Sequence, residues 1–124
     1  MENQMDCLRP EGVAVHTTEF NVSSNYKTIA RGPLVIFRRR DIEKAAARLR
    51  AKGHSIDLDF DSGTSPADLY VDLPPYKEEP HLKLKLGEFV STSIGLAVRK
   101  NPCASESGIR AKLRALFTFS KSAA

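Results

Sequence analysis

Lys44, Arg48 and Lys52 recur at intervals of four residues, directly after the run Arg38, Arg39 and Arg40. If this stretch is helical, the spacing stacks three cations along one face, one turn apart. A second group, Arg110, Lys112 and Arg114, lies near the C-terminus, with Arg110 and Arg114 again one turn apart. Such groups neutralise rather than make or break bonds. Each lysine or arginine can meet one phosphate of a nucleic-acid backbone and release its counterions. Lysine and arginine are also good helix formers on a solvated face. What sets these stretches apart is their shortage of acids, because an ordinary solvated helix mixes both signs.

Other candidate chemistry is thinner. Asp57-x-Asp59-x-Asp61, with Asp68 at the twelfth position, has the outline of a calcium loop. Ser62 stands at the sixth position where glycine is needed, and no glutamate stands at the twelfth. The interleaved Leu58 and Phe60 explain the aspartate spacing as the polar face of a strand. His16, His54 and His81 are far apart, and Cys7 and Cys103 are the only cysteines. None forms a local metal-ligand pair or a nucleophile signature. No phosphate-cradling glycine loop and no Gly-x-Ser-x-Gly elbow occurs. The leading expectation is a non-catalytic chain with no cofactor and no metal; the other reading is an enzyme whose site is assembled only in three dimensions, with His16, His54 or His81 in a pocket beside an Asp or Glu.

Charge is strongly partitioned. Residues 34–54 carry seven bases against two acids, residues 55–80 seven acids against one base, and residues 99–124 six bases against one acid. The total of +4 hides two basic stretches with an acidic one between them. Segregation of this kind steers encounters with charged partners.

The elements that must position these groups follow from periodicity. Residues 1–12 read as a loose tail and Val13–Val22 as a strand. Asn21-Val22-Ser23 also fits a glycosylation acceptor. Leu34–Phe37 reads as a strand buried on both faces. Asp41 is a fitting cap for a helix over about 41–52, with Ile42, Ala45, Ala46 and Leu49 as its apolar stripe and Gly53 as its stop. Residues 56–60, 69–73 and 82–86 alternate as strands. Gly87-Glu88 suits a two-residue hairpin into residues 89–98, which read as strand, with a helix as the alternative. Ser105 would cap a last helix over about 106–118 carrying Ile109, Leu113, Leu116 and Phe117.

The predicted fold is α+β: a mostly antiparallel sheet of five to six strands with two helices, about 41–52 and 106–118, on one face. One domain spans 13–119, and residues 120–124 fray. On the outer face, Asp57, Asp59 and Asp72 would pair with Lys83 and Lys85 across neighbouring strands. The order helix, strands, helix is similar in outline to a double-stranded-RNA-binding domain, with Gly108–Arg114 where that module contacts phosphates. The Lys-Lys-x-Ala-Lys run and the Gly-Pro-x-His loop of that family are absent, and no family is assigned. No apolar run approaches the ~18 residues of a membrane span. The acid-bearing N-terminus is unlike a secretion signal, so an intracellular, cytoplasmic protein without a membrane partner is expected.

The leading expectation is a module that contacts nucleic-acid phosphates, of either DNA or RNA, through Arg38–Arg40, Lys44, Arg48, Lys52, Arg110, Lys112 and Arg114. The alternative is a protein-interaction module, an accessory or inhibitory factor, that docks an acidic protein surface or assembles into a homo-oligomer through its opposed patches.

Overall fold

The longest strand, β5 (Phe89–Arg99), is the spine of the sheet, as seen in the computed structural model, which describes residues 1–102. β1 (Val13–Asn21) runs antiparallel along the whole of one side of it. On the other side β4 (Lys83–Leu86) pairs with its start and β2 (Ser55–Asp57) with its end, both antiparallel. β3 (Val71–Asp72) adds to β4 in parallel. The result is a mixed five-stranded sheet in the order β1-β5-β4-β3, with β2 beside the far end of β5. Three helices complete the α+β fold: α1 (Glu2–Cys7), α2 (Arg39–Ala51) and α3 (Pro66–Leu69). The expected helix over 106–118 lies outside the described residues. No helix among the described residues is long and apolar enough to cross a membrane.

α2 forms where the apolar stripe calls for it, and Ile42, Ala46 and Leu49 are buried. Its start differs from expectation. Asp41 sits inside the first turn, and its carboxylate reaches back to accept from the Arg38 N–H and from the Arg38 guanidinium (Nε at 2.7 Å). That contact meets the Arg38 N–H at the head of the helix, where no carbonyl of the preceding turn is in place to accept it. The Arg38 guanidinium also holds the Asp41 carboxyl below the usual carboxylate range. Gly53, at φ +86°, ends the helix, with its N–H on Arg50 O and that of His54 on Leu49 O. This is the left-handed stop that only glycine adopts without strain.

The core lies between α2 and the inner face of β1 and β5: Phe20, Ile42, Ala46, Leu49, Ile56, Leu96 and Val98, closed by Met5 from α1. The tail expected over residues 1–12 is thus in part a helix. Met5 is fully buried, and Glu2 pairs with Arg48 and Lys52 of α2, both at 2.8 Å. The Lys52 ammonium and then the Arg48 guanidinium hold the Glu2 carboxyl at about 2, against an ordinary 4.5. A lowered folded-state value means that this pairing stabilises the fold above pH 4.5 and fades as pH falls toward about 2. Wild type should therefore melt above Glu2→Gln near neutral pH, and the two should converge across that acid window in thermal scans.

Other segments depart from the pattern reading. Leu34–Phe37 is not a doubly buried strand. Only Phe37 bridges β1, while Ile36 N–H turns back to Ile29 O. The strand expected over residues 69–73 is shortened to β3, because α3, in which Ser65 and Asp68 cap each other reciprocally, runs to Leu69. The outer-face charge pairing also fails. β2 and β4 contact different stretches of β5, so Asp57 and Asp59 do not neighbour Lys83 and Lys85. Asp72 and Lys83 are buried, while Leu69, Leu73 and Leu82 are exposed. Asn21 is buried and saturated: its side chain donates to Lys27 O and Thr28 Oγ1 and accepts from Ser23 and Ser24 N–H groups. That leaves no amide free for a glycan in the folded chain.

Candidate interaction groove between β1 and α2

Antiparallel pairing fixes the direction of every backbone group in β1. Lys100 N–H donates to Gly12 O and Val22 N–H to Val90 O, so the even-numbered residues of the strand turn toward β5. Asn21 N–H donates to Phe37 O and Phe37 N–H to Glu19 O, so the odd-numbered residues turn away from the sheet. Phe37 covers only that one end. The N–H and C=O groups of Val13, Val15 and Thr17 have no backbone partner among the described residues. Their side chains lie on the outer face, where Val15 is 72% exposed.

A cavity of about 850 Å³ lies beside this edge. Its walls are β1, the first turns of α2, the 28–37 segment and Met1–Asn3, and Leu49 and Leu96 help to form its floor. His16, Thr17 and Thr18 of β1 line it together. His16 Nε2 is buried and has no hydrogen-bond partner among the described residues. Lys44 and Arg48 stand on the helical wall.

The predicted cation group is present on α2 but largely engaged within the chain. Arg38 is held by Asp41 and donates to Tyr26 O. Arg39 pairs with Glu43 at 2.8 Å and lies 4.8 Å above the Phe60 ring. Arg40 donates to Tyr26 O through its guanidinium and to Asn25 through its backbone N–H. Arg48 and Lys52 share Glu2. Lys44 is exposed and meets no carboxylate among the described residues. The seven bases of residues 38–52 are answered by Asp41, Glu43 and Glu2, leaving a surplus of four positive charges. Arg110, Lys112 and Arg114 lie outside the described residues.

The aspartates of the calcium-like run serve the backbone instead. Asp59 accepts from Asp61 N–H, Asp61 from Gly63 N–H, and Asp68 from Ser65. Comparison with protein-family models, with curated proteins and with solved structures finds no match. The function must then be argued from the groove's own chemistry.

Sequence reading missed the groove. The cation stripe was visible in the spacing of Lys44, Arg48 and Lys52. The open edge was not, because no local pattern in Val13–Asn21 says that Val13–Thr17 pair on one side only among the described residues.

Proposed function

We propose that this chain is a protein-interaction module that docks an acidic partner segment against the α2 side of the β1–α2 groove. The observation that carries this reading is one place where concave shape, positive surplus and unmet hydrogen-bonding groups coincide. The cavity borders Lys44 and Arg48, holds His16 Nε2, and runs beside the β1 edge; neither that nitrogen nor the outward backbone groups of Val13, Val15 and Thr17 have a partner among the described residues. Interfaces draw specificity from charge complementarity of this sort.

Contact with nucleic-acid phosphates is less favoured. Arg38, Arg39, Arg48 and Lys52 already meet carboxylates of the chain. A phosphate backbone tracking the whole basic stripe would have to displace all of those partners, whereas a segment in the groove meets Lys44 and shares only Arg48 with Glu2. The test is a pair of anisotropy titrations at low salt, one with a labelled Glu-rich peptide and one with single- and double-stranded DNA and RNA oligonucleotides. The Lys44→Glu/Arg48→Glu double variant should weaken peptide binding by about tenfold or more, equivalent to ~1.4 kcal/mol. Tight oligonucleotide binding with none to the peptide would overturn the reading in favour of a phosphate-contacting module.

A further inference from the structure

We infer that the acidic partner is bound as an added β-strand on the free edge of β1, pairing with the outward N–H and C=O groups of Val13, Val15 and Thr17. The inference rests on the acidic-partner reading above and names the conformation that the partner takes. An exposed sheet edge is a template for an extended chain: backbone hydrogen bonds supply affinity, and pockets for alternate side chains supply selection. Natural sheets usually blunt such an edge with proline, with a charge pointing inward or with a covering element. Val13–Thr17 has none of the first two, and the covering segment stops at Phe37, which occupies only the Glu19–Asn21 end.

The side chains beside the edge define the visitor. An added strand continues the pleat, so its alternate residues would turn toward the inner face, where the cavity has Leu49 and Leu96 on its floor and His16 on its wall. Those positions suit apolar residues and one group able to hydrogen-bond His16 Nε2. The helical wall offers Lys44, which has no ion-pair partner among the described residues, and Arg48 shared with Glu2. These cations suit carboxylates along the visiting strand. The occupant is thus an extended segment that mixes β-branched apolar residues with Asp or Glu.

A second copy of this chain fits less well. Two β1 edges joined about Val15 would bring two α2 helices to the joint, each with its positive surplus, and like charges would oppose the pairing.

The experiment uses the full chain and a fluorescein-labelled peptide of alternating Val and Glu. Its controls are an alternating Val-Lys peptide and a fully N-methylated Val-Glu peptide, which keeps the charges but has no backbone donors. Binding of the Val-Glu peptide should weaken about tenfold or more on N-methylation, the worth of one or two backbone hydrogen bonds. Val15→Pro should weaken it similarly, because proline lacks the outward N–H, and an edge position tolerates it. The N-methylated peptide keeps the test decisive even if that variant fails to fold.

If the N-methylated peptide binds as well as its parent, and Lys44→Glu still weakens both, strand addition is wrong and acidic docking stands. If the Val-Lys peptide binds as well as the Val-Glu peptide, the acidic-partner reading is wrong. If sedimentation shows a wild-type dimer that Val15→Pro dissolves, a second copy holds the edge and the proposal is overturned.

Discussion

Leu49→Ala is expected to lower the unfolding free energy by about 2–5 kcal/mol. Leu49 is fully buried on α2 and packs in the cluster that includes Met5, Ile42, Leu96 and Val98. Truncation removes apolar atoms from that cluster and leaves a void that the surrounding helix and sheet fill only in part. The loss should reach function too, because Leu49 is also part of the groove floor. Chemical denaturation should show a lower midpoint with an unchanged slope, the mark of a stability change without a change in the compactness of either state. A loss well under 1 kcal/mol would mean that α2 is not anchored to the sheet through this residue.

His81→Ala is expected to cost about 1–3 kcal/mol, although His81 lies at the surface. Asp72 is fully buried, and its carboxylate meets His81 Nδ1 at 2.6 Å. Neither carboxylate oxygen accepts from a backbone N–H among the described residues. Removing the imidazole would leave a buried carboxylate without its partner, the costly half of breaking such a pair. The His81 side chain is 37% exposed, so water entering the vacated space offsets part of the cost, which argues for the lower figure rather than that of a deeply buried pair. Asp72→Leu should be milder, because it removes the buried charge itself. In the His81→Ala background it should recover part of the loss. A double-mutant cycle by denaturation checks this, and strict additivity would mean that the two groups do not interact in solution.

These residues also show where sequence reading stops. α2 was legible because its stripe, from Ile42 to Leu49, is long enough to fix a period, and Gly53 marks its end by a steric rule. β5 was favoured as strand over helix by its β-branched content, and Gly87 takes the positive φ of the tight hairpin that its position suggested. The short strands were not legible. In residues 69–73 and 82–86 the alternation is real, but period two does not say which face is covered. The fold buries both Asp72 and Lys83, which the β3–β4 register puts on opposite faces of the sheet, and leaves Leu73 and Leu82 exposed. α1 was invisible for a different reason. Six residues are too few for a helix stable on its own, and it is held by Met5 in the core and by Glu2 on α2. The cation stripe was legible in spacing, but its neutralisation was not. Glu2 meets Arg48 from a residue 46 positions away, and only the fold brings them together. The groove depends on β1 being an edge, and sheet order is a property of the whole chain.

The most direct test of the account is an amide-resolved NMR titration of the full chain with the alternating Val-Glu peptide. The account predicts saturable shifts at the outward amides of Val13, Val15 and Thr17 and at Lys44 and Arg48, with new protection of those three edge amides from hydrogen exchange. Shifts spread over the charged surface without edge protection, or no shifts at millimolar peptide, would contradict it.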